Sequence, residues 1–445
     1  MKNTYEIIDM GMDAVGIARD NNKVVFIPQA LTGETVQATI QKDNKSFCNA
    51  KLDSVVSPSS NRVEPKCPYY KSCGGCNLQH TTYPSSLDYK TTYITNLFNK
   101  AKLDCKVLPT VASNKEFFYR NKAVFNISMV NGKTIVGMYS ESSHQTVQIE
   151  QCMLDDGFSK DLLCATREFI STYNLSGFDK RLNKGLLKNI MIRKLDDKYL
   201  IVLVATRKFN QINLFEKILS KYFKDFGLYL NINTKNSSLI FGKTFEHICG
   251  IKNITATFTT LSNNKIEYVI SPESFMQVND FIKDKIYHAV SQICAESDCV
   301  VDAYSGAGLL SAIIADNAKQ VYGLEIVKSA TQDAENLKKL NNIKNLTNIN
   351  ADCSVELPNL LKKLYNPQFY LVVDPPRKGI DQSVVDAILQ TLPKKVVYIS
   401  CNPATLTRDI KNICLTNKYK ISLVQPYDMF PQTAHIETLV VLEKI

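Results

Sequence analysis

No apolar run in this 445-residue chain approaches the roughly 20 residues that a membrane helix needs. The opening MKNTYEIIDM also lacks the apolar segment of a secretory signal. Together these absences argue against membrane and exported classes, and the expected location is the cytoplasm, with no membrane partner. Internal repeats and low-complexity tracts are missing too, which argues against a solenoid or a disordered tether. The length and a 44% hydrophobic content instead support two or three domains with sizeable cores. Thirteen cysteines cannot all pair within one chain, and a reducing compartment leaves metal ligation or catalysis for the clustered ones. The scattered Cys105, Cys164, Cys249 and Cys294 read as small buried hydrophobes.

The formal net charge of +10 is unevenly spread. Residues 1–57 carry 6 basic against 7 acidic side chains, residues 58–270 carry 29 against 17, and residues 271–445 carry 18 against 19. A basic middle between neutral ends suits a polyanion, although a lysine-rich solvated surface gives the same count. The division expected is 1–57, 58–265 and 266–445. In the first segment, five short alternating strands punctuated by glycine and asparagine predict a small OB-like β-barrel. GMDAVGIARDNNKVVFIPQALTGETV resembles the TRAM module of RNA-modifying enzymes. Beyond the linker SPSSNRVEP and a cysteine cluster, a helical stretch near 81–101 is expected, able to pack on the C-terminal domain. Residues 117–265 then alternate strands and helices, as in an α+β domain with an antiparallel sheet.

From 272 onward, apolar strands alternate with helices, at 299–304, 320–325, 346–350, 369–374, 395–400, 421–426 and 437–443. Such strands form a parallel sheet covered on both faces, closed here by an antiparallel seventh strand. That is the Rossmann-like layout of S-adenosylmethionine-dependent methyltransferases. CVVDAYSGAGLLS is a strand entering a glycine-rich turn, in which Gly306 and Gly308 let the backbone approach a ligand. Glu325, 17 residues after Gly308, ends the next strand, where an acid can bond ribose hydroxyls. The third glycine of a dinucleotide fingerprint is lacking (Ser311 stands there), which disfavours pyrophosphate. Asp352 is placed for an adenine edge or as a plain loop aspartate. Asp374 stands where the fourth strand meets the cofactor–substrate boundary. In DPPRKG the aromatic that follows Pro-Pro in exocyclic-amine methyltransferases is replaced by Arg377, which points to other chemistry.

Cys401, in SCNPATLTRD, follows the apolar run KKVVYI, at a strand end facing the ligand crevice. Glu437 lies 36 residues further on, at the start of the last strand. A thiolate adding at C6 of uracil would make C5 nucleophilic enough to take a methyl group, and a base must then remove the C5 proton. A thiolate of lowered pKa, or a local base, is expected at Cys401. DAYSGAGLLS, DPPRKG, YISCNPATLTRD and HIETLVVL resemble the motifs of the RNA m5U methyltransferases. The resemblance implies Cys401 as nucleophile and Glu437 as base, with S-adenosylmethionine as cofactor. Through SPESFMQVN it also implies Gln277 at the methionine end of the cofactor, with Tyr304 lining the same pocket. Gln277 reads equally as a helix-capping neighbour.

Cys67, Cys73 and Cys76 bring three thiols to one loop, and the resemblance supplies Cys152 as the fourth ligand, with His80 the weaker alternative. Four thiolates suit zinc or iron–sulfur, and spacing does not separate them. A second CxxC pair, usual in zinc knuckles, is lacking, and the resemblance favours a [4Fe-4S] cluster that folds the middle domain and shapes the RNA surface. The resulting expectation is a uracil-C5 methyltransferase acting on structured RNA, 23S rRNA first and the tRNA T-loop second, as a monomer. A non-catalytic RNA-binding assembly factor and a cytosine-C5 methyltransferase are the rivals.

Overall fold

The computed structural model describes residues 2–141, 143, 145–237, 239–295, 297–364 and 369–445. At the N-terminus, six strands rather than five form one sheet, because the first expected strand divides into Lys2–Glu6 and Asp9–Met10. These two are its outer strands and are joined by only two residues, so the sheet must roll up on itself. Its interior takes the alternate side chains Tyr5, Ala18, Val25, Ile27, Val36 and Ala38. Fixing the barrel to the next segment, Glu34 is fully buried and accepts from Arg62 across the linker (Nη2···Oε2 2.7 Å).

The central sheet has seven strands and is antiparallel except where Lys198–Ala205 runs parallel to Asp225–Ile232. Helix Ile212–Leu219 makes that crossover, which explains why the antiparallel expectation fails there. Helices Phe158–Tyr173 and Ile212–Leu219 cover one face through Phe169, Phe215 and Leu162. The other face presents Met191, Leu200 and Val202 to a hairpin, Ile254–Thr259 with Lys265–Ile270, whose apolar side continues into the C-terminal core. A division at 265/266 therefore separates the two strands of that hairpin. Among the scattered cysteines only Cys294 is buried, whereas Cys105, Cys164 and Cys249 are half-buried.

The C-terminal sheet comprises β1 (Val300–Ala303), β2 (Val321–Glu325), β3 (Leu346–Asn350), β4 (Tyr370–Val373), β5 (Lys395–Ser400), β6 (Tyr419–Tyr427) and β7 (Glu437–Lys444), in the order 3-2-1-4-5-7-6. Strands β1 to β5 are parallel, and β7 is antiparallel to both neighbours. Val397 and Ile399 face one core while Val396 and Tyr398 face the other, so alternate residues feed two apolar layers. Helix Tyr83–Lys100 packs here through Ile94 and Phe98, outside the sheet's own segment of chain. No helix among the described residues is long and apolar enough to cross a membrane.

Candidate active site

The register of β5 and β7 creates the reactive pair. Ser400 pairs with Thr438, so Cys401, the residue immediately after β5, falls opposite Glu437, the first residue of β7. Parallel β4, whose Val373 pairs with Tyr398, delivers Asp374 beside them. Cys401 ends its strand because Asn402 caps helix Pro403–Cys414, accepting from Ala404 N–H at 3.2 Å, with Pro403 in the first turn. The Asn402 amide also donates to the Arg377 carbonyl at 2.8 Å, and Thr405 Oγ1 does so at 3.2 Å. These contacts tie the turn after β4 to the turn after β5, and bring the Arg377 guanidinium close enough to the Cys401 thiol for its charge to be felt there.

Burial dominates the electrostatics of this cluster. It pushes Asp374 up to about 7. Glu437, 3% exposed, is raised well above the ordinary carboxylate range by burial and then by Asp374, with Arg377 opposing. Asp374 keeps some accessible surface at a cavity wall, so Glu437 is the more fully desolvated of the two. Their mutual repulsion favours retention of a proton by the pair near neutrality. Burial, then Glu437, raises the Cys401 thiol, while Arg377 pulls it down. The expectation of a lowered thiol pKa is therefore corrected, and the alternative of a local base is what the geometry offers.

The cavity has a volume of about 380 Å³ and is bordered by Gln277, Tyr304, Gly306, Asp302, Asp333 and Asp374 among others. That volume and its mixed polar and apolar wall suit a nucleoside-sized ligand. Tyr304 is held at φ 68°, an unusual conformation for an aromatic residue, where β1 turns into the glycine loop. The two glycines differ. A Cβ on Gly306 (φ 56°) would meet open space, whereas one on Gly308 (φ 81°) would strike Ala334 Cβ at 2.6 Å. Gly306 thus leaves room for a ligand, and Gly308 is required by helix packing.

Glu325 and Asp352 are not among the residues lining this cavity. Glu325 accepts from Gly306 N–H (3.0 Å) and Val327 N–H (2.7 Å), bracing the glycine turn. Asp352 caps helix Cys353–Lys363, accepting from Ser354 Oγ at 2.7 Å and from Ser354 N–H at 2.8 Å, which together lower its pKa. Ser311, at the missing-glycine position, donates to buried Asp302, whose carboxyl burial raises to about 7.

Cys67, Cys73 and Cys76 lie on one loop, and the charge on Cys76 is felt by Cys152. Cys76 in turn feels Cys73, Cys67 and Arg120, so the four thiols share one neighbourhood. Burial raises Cys76 to about 11 and Cys152 to about 12. Even so, no group of three or more His, Cys, Asp or Glu among the described residues is arranged to hold a metal ion. The chemistry of the four donors fits a thiophilic centre, while their present arrangement is not a ligating one. His80 is turned to other work: its Nδ1 bonds Tyr70 Oη at 2.6 Å.

Sequence reasoning did not find two features. In sequence Arg377 is only the replacement of an aromatic, and its effect on Cys401 arises from the meeting of two turns 25 residues apart. The segment Asp428–Ile436, which delivers Glu437, is held by partners far away in sequence. Among these are Lys90, in a buried ion pair with Asp428, and Tyr83, whose hydroxyl donates to Asp428 at 2.8 Å.

Residues 82–445 match the tRNA (uracil-5-)-methyltransferase family, and residues 9–52 match the TRAM domain. An uncharacterized RNA methyltransferase of Clostridium acetobutylicum is 34% identical, over 100% of this chain and 97% of the relative. Another, from Listeria innocua, is 35% identical over 98% of this chain and 96% of the relative. Among solved structures, the tRNA (uracil-54, C5)-methyltransferase of Pyrococcus abyssi, in complex with S-adenosyl-L-homocysteine, shares the fold. Its TM-score is 0.77 at 23% identity, covering 99% of this chain and 100% of that one.

Proposed function

The chain belongs to the tRNA (uracil-5-)-methyltransferase family and carries a TRAM domain, and from that premise we propose a covalent mechanism and a substrate. S-adenosylmethionine, held by the wall that includes Gln277, Tyr304, Gly306 and Asp374, supplies an electrophilic methyl group. Cys401 passes its proton through Asp374, the cavity-facing member of the pair, to solvent and adds to C6 of a uracil, while the C5–C6 π electrons move onto O4; the pair is left with one proton and Glu437 ionised. C5 of this enolate takes the methyl group as the S–CH3 bond breaks, leaving its electron pair on sulfur in S-adenosylhomocysteine. Glu437 then removes the C5 proton, the double bond re-forms, and the Cys401 thiolate is expelled. The observation carrying this reading is the β5–β7 register that faces Cys401 with Glu437 beside Asp374 and Arg377. Arg377 stabilises the thiolate, and a buried, high-pKa Glu437 is a stronger base than an exposed carboxylate. Glu325 and Asp352 have the supporting roles of bracing the cofactor loop and capping a helix, with ribose and adenine contacts proposed for the ligand-bound form. Cys67, Cys73, Cys76 and Cys152 are the proposed ligands of a [4Fe-4S] cluster, for which their shared neighbourhood is the support.

We place 23S rRNA first as the RNA, on the TRAM module together with the cysteine loop, and a flipped-out uridine in a structured loop as the target. The tRNA T-loop is the second reading, favoured by the fold shared with a tRNA (uracil-54, C5)-methyltransferase over the whole chain. Mass-spectrometric mapping of 5-methyluridine in rRNA and tRNA from cells lacking the gene tests both. Loss from 23S rRNA is expected, loss from tRNA alone selects the second reading, and undiminished levels in both reject the substrate assignment. In vitro, 5-fluorouridine RNA should trap the wild-type enzyme covalently, and Cys401→Ala should abolish the trap.

A further inference from the structure

Glu437 is the first residue of β7, so its position depends on how the segment Asp428–Ile436 is anchored. Much of that anchoring comes from outside the C-terminal sheet. The Asp428 N–H donates to the Val111 carbonyl at 3.0 Å, and Asn279 Nδ2 donates to the Met429 carbonyl at 3.3 Å. Lys90 reaches the Phe430 carbonyl at 3.3 Å, and the Tyr119 hydroxyl donates to the Pro431 carbonyl at 3.1 Å. Nearest to Glu437, one side chain takes over. The backbone N–H groups of Asn77 and Leu78 both donate to the Gln432 carbonyl at 3.1 Å. Asn77 Oδ1 accepts from Ala434 N–H at 2.7 Å. With its other amide atom, Nδ2, the same side chain donates to the Asp13 carbonyl in the barrel at 2.9 Å. Gln432, which receives the two backbone donors, sits at φ 67°. A non-glycine residue holds that conformation only where its surroundings impose it.

We propose that Asn77 is a positioning residue for Glu437, a three-way tie between the barrel, the cysteine loop and the strap that ends in the base. The inference rests on the proposed role of Glu437. Ala434 is three residues from Glu437 and the only intervening chain is His435-Ile436, so freedom at Ala434 passes directly to the carboxyl. Asn77 touches neither the cofactor cavity nor Cys401, so the step that should suffer is removal of the C5 proton, after methyl transfer. A misplacement of about 1 Å costs on the order of a hundredfold in such a step.

The test compares wild type, Asn77→Ala and Asn77→Asp on a uridine-containing RNA substrate. Asn77→Asp keeps an oxygen for Ala434 N–H, while its second oxygen has to turn away from the Asp13 carbonyl that Nδ2 bonded. The expected result is a ten- to hundredfold fall in kcat for Asn77→Ala with little change in KM. It should be accompanied by accumulation of a denaturant-resistant protein–RNA adduct that carries the transferred methyl. Asn77→Asp should recover most of the rate, and S-adenosylhomocysteine affinity should be equal in all three. Slow turnover of Asn77→Ala without methylated adduct, or equal loss in Asn77→Asp, would overturn the inference, as would wild-type turnover in Asn77→Ala. Failure of the covalent reading shows itself separately, as absence of a 5-fluorouridine trap in the wild-type enzyme.

Discussion

Removing the Arg377 guanidinium tests whether it holds the Cys401 thiol in reactive form. Burial and Glu437 both keep the proton on sulfur, and the nearby Arg377 charge works against them. Attraction between opposite charges about 4 Å apart ranges from about 1 kcal/mol in water to about 4 kcal/mol near a protein surface. Arg377 sits on an exposed turn, where solvent screens its charge, so the lower end applies. About 1.5 kcal/mol is roughly tenfold in the thiol–thiolate equilibrium. Arg377→Ala should therefore slow alkylation of Cys401 by iodoacetamide about tenfold near neutral pH, with the rate profile displaced to higher pH. Arg377→Lys keeps the charge without the planar fork and should fall between the two. The Arg377 carbonyl, which accepts from Asn402 and Thr405, is backbone and survives both substitutions, so the turn itself should persist. With thirteen cysteines in the chain, the rate has to be read at the Cys401 peptide by mass spectrometry. Unchanged Cys401 alkylation in Arg377→Ala would refute the reasoning, because burial and the carboxylates would then set the thiol's state unaided.

Anaerobically purified protein should be brown from thiolate-to-iron charge transfer, and Cys152→Ala should bleach it; colourless protein with one stoichiometric zinc would select the zinc alternative. Gly308→Ala should lower thermal stability by about 1–3 kcal/mol, since its Cβ meets Ala334 at 2.6 Å, whereas Gly306→Ala should cost about 1 kcal/mol and weaken S-adenosylmethionine binding instead. Equal melting shifts in calorimetry would contradict the separation of roles. Burial raises Asp302 and Asp374, both in the cavity wall, to about 7. Because the folded state keeps protons that the unfolded chain releases, ligand-free stability should fall as pH rises from about 4 to about 7. A cationic sulfonium favours the ionised carboxyls, so S-adenosylmethionine affinity should rise through pH 7 more steeply than that of S-adenosylhomocysteine. Parallel pH slopes in titration calorimetry would exclude that ionisation.

Local pattern alone carried the order of the C-terminal domain. Continuous apolar runs such as KKVVYIS have to be strands covered on both faces, and their alternation with helices leaves few topologies. The same pattern put Cys401 and Asp374 at strand ends, because a buried strand stops where the polar turn begins. Six strands in place of five, and one parallel pair in the central sheet, escaped because pairing partners are chosen by contacts distant in sequence. Pairing also decided what the acids do. Glu325 and Asp352 stand at strand ends where ligands bind, and hydrogen bonds give them the further work of bracing the Gly306 turn and capping a helix. The raised pKa of Glu437 and the effect of Arg377 on Cys401 arise from desolvation and proximity, which no residue string encodes. The strap before Glu437 makes the point most plainly. Asn77 and Ala434 lie 357 residues apart, and only the fold brings an amide oxygen to that N–H. Composition and periodicity thus set the elements and their chemistry-bearing ends. Burial and long-range hydrogen bonds, which exist only after packing, determine which ends meet and in what state of charge.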